Sequence, residues 1–344
     1  MNIYRIVLTG GPCAGKTTAC NTIKKYLKDK NIPCLVVPET ATELIPNIVF
    51  KEIRNLYEFQ ELVMKRQLVK EVDTLLYARN NYKDYDKCVI IYDRGLFDNC
   101  AYLESINDFR RLLSRFDLDE VTSLERYDMV IDLLSLATCK ESEYNLSNEA
   151  RTEDVSYARI LDNKTSNVWA NHHNLKILRS DVSLKEESEN IINLVNNLLE
   201  DKVESKVLKY EVDKEKSDLS RYMNDSYLYV TNHVFDMYNG YLCNVAVRTR
   251  DLRYASYILE IYTENDNERK IVHKEIVDTD ILGDLCRKYK FVNSFSAKEY
   301  NFVENGILYK LSVGNESTYL EIIDSDKVIV PSDIVVSKNK IKRK

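Results

Sequence analysis

The sequence predicts a two-part α/β chain: a parallel sheet with crossover helices over residues 1–203, then a mainly antiparallel, barrel-like α+β domain over 207–336. Three observations predict it. Apolar strands alternate with helical stretches through the first part, at "CLVVPE" (34–39), "CVIIYDR" (88–94), "YDMVIDLL" (127–134) and "LKILRS" (175–180), which is the rhythm of βαβ units. After "DKVESK" that rhythm gives way to short β-branched and aromatic runs: "LKYEVD", "YLYVTN", "LCNVAVRTR", "YILEIYT", "KIVHKEIV", "ILYKLSV" and "YLEII", the pattern of antiparallel strands. Length is the third: 344 residues, 44% of them apolar, suit two ordinary cores better than one.

The first strand, carrying Ile3, Ile6, Val7 and Leu8, runs into "GGPCAGKTT". Gly10, Gly15, Lys16 and Thr17 fit G-x-x-x-x-G-K-[ST], in which glycines let the backbone curl until several N–H groups converge on one anion. The phosphate-loop residues are thus Gly10, Gly11, Pro12, Cys13, Ala14, Gly15, Lys16, Thr17 and Thr18, and they predict a nucleotide site. Lys16 to Lys30 reads as the helix that follows, with Ala19, Ile23 and Leu27 four apart, ended by Asn31 and Pro33. The stretch from Glu52 to Tyr82 lacks Gly and Pro and reads as one long helix, and "KEESENIINLVNNLLE" (185–200) as the helix that closes the unit.

A net charge of −6 gives no bulk attraction to nucleic acid, which is not expected as a partner. A first strand starting at residue 3 leaves no room for a leader ahead of it, and no apolar run approaches membrane-spanning length. The eight cysteines are scattered without C-x-x-C pairs and read as reduced thiols of a cytoplasmic protein. Cys13 sits inside the phosphate loop, as a reactive thiol or as a small filler.

Ligands of open parallel sheets bind at the carboxyl ends of the strands, so polar residues there carry weight. Asp93 ends "VIIY" and is placed to hold, through water, a magnesium ion that Thr17 ligates from the other side; a helix cap is the plainer reading. Glu39 closes "LVVPE", either as a base facing an acceptor hydroxyl or as a surface glutamate in a turn. Arg94 follows the strand aimed at the cleft, where a bidentate guanidinium suits a phosphoryl acceptor.

These residues, with "PETATELI", "EFQELVMKRQ", "YDRGLFDNCAYL" and "NEARTEDVSYARILDNKTSNVW", resemble the P-loop kinases of the thymidylate and deoxynucleoside kinase type, and above all the nicotinamide riboside kinase-like AAA domain. The resemblance implies a sheet ordered 2-3-1-4-5, Glu39 as base, Gln60 as reader of a base or carboxamide, Arg94 as acceptor clamp, and Arg151 on a lid neutralising the transferred phosphoryl group. A solvated ion pair is the plain alternative for Arg151.

The second half, in its order of strands, resembles a diverged triphosphate-tunnel barrel. A nucleotide-kinase-like P-loop followed by such a barrel resembles the TRPL-translocation-defect regulators of insects, which implies GTP and phosphoinositide binding. Strand alternation puts Arg248 and Arg250 on one face, an anion site if that face is inward. Glu211, Asp213 and Glu215 partly match the barrel family's acidic signature, but Ile323 stands two residues after Glu321 where a second carboxylate is expected. The tail at 337–344, "SKNKIKRK", reads as a disordered basic segment able to touch an anionic membrane. Three functions follow as expectations: a regulator binding ATP or GTP with magnesium and a phosphorylated ligand, a small-molecule kinase, or a structural adaptor.

Overall fold

A computed structural model describes residues 1–45, 53, 55–139, 155–325 and 328–337. The chain divides into two compact units, Met1–Asp119 with Arg126–Glu200, and Glu120–Glu125 with Asp201–Lys344.

The first unit holds strands β1 (Asn2–Thr9), β2 (Cys34–Val37), β3 (Lys87–Asp93), β4 (Met129–Leu133) and β5 (Leu175–Leu178) in one parallel sheet ordered β2-β3-β1-β4-β5. This is the sheet that the sequence and its resemblance imply. Around it lie α1 (Lys16–Asp29), α2 (Thr40–Leu44), α3 (Leu56–Asn81), α4 (Asp98–Ala101), α5 (Ile106–Ser114), α7 (Leu136–Cys139), α8 (Val155–Val168) and α9 (Leu184–Leu199), while α6 (Glu120–Leu124) belongs to the second unit. Helix α1 buries Ala19, Ile23 and Leu27, the three residues its periodicity selects, against Ile6, Leu8 and Ile91 of the sheet and Ile191 and Val195 of α9. The long helix begins later than its composition suggests, at Leu56, because the Asn55 side chain accepts from the N–H of Glu58 at 3.0 Å and caps it there.

The second unit is a closed antiparallel barrel of eight strands: β6 (Ser205–Glu211), β7 (Leu228–Asp236), β8 (Leu242–Thr249), β9 (Ala255–Asn265), β10 (Glu268–Ile276), β11 (Lys290–Glu304), β12 (Ile307–Val313) and β13 (Thr318–Ile323), with α10 (Ile281–Lys288) before β11. Their order around the barrel is β10-β6-β13-β12-β11-β7-β8-β9. Seven strands answer to the runs read from the sequence; β11, the longest at 15 residues, is an addition to them. The outer wall is apolar. Phe235, Cys243, Val245 and Leu259 pack against Leu285 of α10, and Tyr300, Phe302, Tyr309, Leu311, Leu320 and Ile322 against Tyr222 and Ile334. Alternation therefore sends the other residue set inward.

Candidate functional site

The phosphate loop sits where β1 hands over to α1, at the carboxyl edge of the sheet. Gly10 has φ of 131° and a Cβ there would lie 2.1 Å from the Leu133 carbonyl oxygen, so no side chain fits. The loop ends on Gly15 in the left-handed region. Lys16 is half-buried, and its Nζ donates to the carbonyl oxygens of Gly10 (3.1 Å) and Gly11 (3.0 Å). Burial pushes its ammonium down to about 8; Arg94 adds to this, while Asp93, Glu39 and Asp98 oppose it. Lys16 is thus a cation with less compensation than its enclosure asks for. Thr17 and Thr18 are exposed on the first turn of α1 and Cys13 is half-buried, with φ of 60°.

On the neighbouring strand, Asp93 pairs in register with Leu8. Its Oδ1 is buried without a hydrogen-bond partner, and burial, then Glu39, push its carboxyl up. That orphaned oxygen, beside a loop whose Thr17 hydroxyl is exposed, fits a magnesium ion held mainly by water and phosphate. Among the described residues no cluster of three or more His, Cys, Asp or Glu forms a cation cage of its own.

Arg94 and Glu39 come together, but with each other. Arg94 Nε donates to Glu39 Oε1 at 2.6 Å and Nη1 to Asp98 Oδ1 at 3.1 Å. Arg94 adopts φ of 71°, a strained state for a side-chain-bearing residue. Asp98, 2% exposed, is the hub that holds it: it also accepts from Thr9 Oγ1, from Gly95 N at 2.8 Å and from Trp169 Nε1 at 3.2 Å. Burial raises the Glu39 carboxyl, but Arg94 and a hydrogen bond from Thr42 (2.8 Å) outweigh it, so its pKa falls below the ordinary value. Gln60 is buried on α3; two turns on, Gln67 donates to the Arg94 carbonyl at 3.2 Å. Arg151 and residues 338–344 of the basic tail lie outside the described residues.

Two residues that sequence reasoning missed stand out here. Asp98 was within reach, four residues after Arg94 in "DRGLFD". Asp162 was not: from α8 it accepts the Gly11 N–H at 2.8 Å across 151 residues of sequence.

In the second unit the inward face is charged. Glu264–Arg269–Glu321–Lys209 form a chain of ion pairs at 3.7, 3.7 and 3.8 Å, Lys274 meets Glu260 at 2.8 Å, and Lys310 lies 4.0 Å from Glu299. Arg248, 5% exposed, shares this face, since Arg248, Ala246 and Asn244 pair in turn with Ser256, Ile258 and Glu260. Burial lowers its pKa more than Glu299, Glu125, Glu260 and Glu120 raise it. Glu120 begins α6 and Glu125 follows it, and Val121 of that helix packs on Leu228, Val230 and Ala246 of the same inner wall.

The expected partnership of Arg248 with Arg250 is corrected here. Strand β8 ends at Thr249, and Arg250 turns to the Tyr227 ring, 4.0 Å from its centroid, with Nη1 donating to the Tyr227 carbonyl at 2.8 Å. The aromatic and carbonyl partners take up the guanidinium, so the two arginines do not form one fork. Glu211 and Glu215 are exposed and Asp213 pairs with Lys216 at 2.7 Å, so this acidic set is not part of the inner wall's ion-pair network.

A glycine-rich loop between strand and helix, at the carboxyl edge of a five-stranded parallel sheet with a lysine over it, defines a P-loop nucleotide-binding class of protein. The AAA domain family matches residues 5–186, more than half of the chain, and the chain belongs to that family. No curated protein matches. Among solved structures that do is a conserved hypothetical protein from Pyrococcus furiosus, 14% identical, matched over 38% of this chain and 81% of that one with a TM-score of 0.29.

Proposed function

We propose that this protein is a magnesium-dependent regulator that binds a nucleoside triphosphate, ATP or GTP, in its P-loop unit. The observation that carries the reading is Lys16, held over the loop by the Gly10 and Gly11 carbonyls with its pKa lowered by burial, a cation that gains when an anion arrives. Thr17 and Asp93 would hold the metal, which would supply positive charge against the phosphates. The regulator is favoured over a kinase because Glu39 and Arg94 neutralise one another: a carboxylate with a lowered pKa, bonded to a guanidinium, is a weak base and leaves the clamp occupied. The kinase reading keeps one observation in its favour, the gathering of Glu39, Asp93 and Arg94 around Lys16; in it, Arg94 turns to the acceptor, Arg151 closes over the phosphoryl group and Gln60 reads the substrate.

The barrel is proposed to take a phosphorylated ligand, a phosphoinositide headgroup in the expected case, on Arg248, with Arg250 outside the site. Support comes from Arg248, a buried guanidinium on the inner face whose pKa burial lowers despite the carboxylates around it. In this reading the protein works in the cytoplasm and touches membranes peripherally, aided by its basic tail. No described helix is long and apolar enough to cross a membrane.

The test is to titrate the full chain with ATP and GTP in magnesium, and to screen nucleosides, nicotinamide riboside and nucleotides for phosphate acceptance in the same samples. Saturable binding without transfer supports the regulator; transfer to one acceptor replaces it by the kinase; no binding of either triphosphate removes both and leaves the adaptor.

A further inference from the structure

Gly11 is pinned from both sides. Its carbonyl receives Lys16 Nζ at 3.0 Å, and its N–H donates to Asp162 Oδ1 at 2.8 Å. Asp162 is 1% exposed and serves two further elements. The Ser135 N–H, just past β4, donates to both its oxygens at 3.1 Å, and Thr138 Oγ1 of α7 donates to Oδ2 at 2.6 Å. Ser135 in turn donates its hydroxyl to the Pro12 carbonyl. The fit to Gly11 leaves no slack: a Cβ there would lie 2.6 Å from Asp162 Oδ1, 2.9 Å from its Cβ and 3.1 Å from its Cα. Next along the loop, Cys13 packs with Leu136 and Ala137 of α7 and Val155 and Ala158 of α8, while Arg159 Nε donates to the Ala137 carbonyl at 2.6 Å.

The bonds to Asp162 belong to no helix or sheet ladder. A carboxylate buried this deeply is costly unless its acceptor sites are filled, and Asp162 fills them with donors from the phosphate loop, the β4 exit and α7. We propose that Asp162 is a positioning residue of the phosphate loop, which holds residues Gly11 to Cys13 in the anion-ready shape before any ligand arrives. The inference rests on the nucleotide-binding reading for its consequence, but the bond itself does not. Preorganisation of this kind raises affinity by removing the cost of ordering the loop on binding.

The experiment compares wild type, Asp162→Asn and Asp162→Ala in the full chain, reading Gly11 amide exchange by glycine-labelled NMR and affinity for ATP and GTP with magnesium by calorimetry. The asparagine carbonyl can still accept from Gly11, so this variant should keep the amide protected and hold affinity to within about threefold, whereas alanine should expose the amide and weaken both nucleotides by at least about tenfold. A purely structural role would lower the melting temperature of both variants alike and lacks this rescue by asparagine. If Asp162→Ala does not fold, Gly11→Ala makes the same test, because it displaces the carboxylate without removing it, and should weaken binding to the same degree. Alanine variants that bind nucleotide as wild type does overturn the proposal, whatever their amide exchange. A wild type with a protected Gly11 amide that binds neither nucleotide overturns the nucleotide reading itself, and the positioning role with it.

Discussion

Lys16 in the first unit and Lys310 in the second are both half-buried, yet their pKa values shift in opposite directions. Burial takes Lys16 down to about 8 because its hydrogen-bond partners are two neutral carbonyls, and Asp93, Glu39 and Asp98 offset the burial only in part. Lys310 suffers the same burial, but Glu299, Glu260 and Glu321 outweigh it and its pKa rises. The same contrast holds for carboxylates: burial pushes Asp93 up beside an orphaned oxygen, while Lys274, Lys310 and Arg269 overcome burial to bring Glu260 down to about 2. Buried charge alone is therefore no mark of a site. What marks one is a charge whose burial the fold has not offset, and by that measure the phosphate loop is poised for an anion while most of the barrel interior compensates itself, though burial lowers the pKa of Arg248 and Lys209 there.

The sharpest way to break this comparison is Glu321→Ala. It leaves Lys209 and Arg269 enclosed without their shared carboxylate, and uncompensated buried charge costs about 3–5 kcal/mol. Denaturant unfolding of the full chain should show that loss, with nucleotide affinity unchanged; a loss under about 1 kcal/mol would mean the interior is wetter and less coupled than its ion pairs imply. Glu39→Gln comes next. If the kinase reading holds, removing the base cuts transfer roughly 100-fold with binding intact; under the regulator reading the variant merely releases Arg94, and nucleotide binding persists with no transfer to lose. The smallest effect belongs to Arg250→Ala. Its cation–π contact with Tyr227 is half-buried and worth about 0.5–2 kcal/mol, so stability should change by no more than that. Binding of the full chain to phosphoinositide vesicles should survive this change and fail in Arg248→Ala; equal losses in the two variants would restore the shared arginine fork.

How much of this was legible in the sequence depends on how local the cause is. The phosphate loop is written in nine consecutive residues, because glycine spacing and a following helix fix the backbone, and α1 buries the apolar set its periodicity names. Asp93 and Arg94 were legible from their place after an apolar strand. The pairing of Arg94 with Glu39 was not, since it joins two strand ends 55 residues apart, and neither was Asp162, a mid-helix aspartate with no local sign of its partner. In the barrel, alternation identified seven strands and missed β11, whose first seven residues are all exposed; without a buried face there is no alternation to read. Parity set Arg248 and Arg250 on one face, but the strand's end and the Tyr227 ring decided the outcome. The barrel's ion pairs depend on registers across β6, β13, β12 and β9 that no single stretch encodes.

The central claim, that Lys16 is held as an undercompensated cation for a triphosphate, has a direct measurement. Calorimetric titration of wild type and Lys16→Met with ATP and GTP in magnesium is run at pH 7 and pH 9 in buffers of different ionisation enthalpy. An arriving anion raises the Lys16 pKa above its empty-site value of about 8, so below pH 8 the residue is charged throughout, and above it binding must draw in a proton. Wild type should bind more weakly at pH 9 than at pH 7 and take up a fraction of a proton at pH 9, while Lys16→Met should lose at least about tenfold in affinity, the worth of one charge-assisted contact, and show no proton uptake. Equal affinity in wild type and Lys16→Met, with no proton linkage at pH 9, would contradict the account.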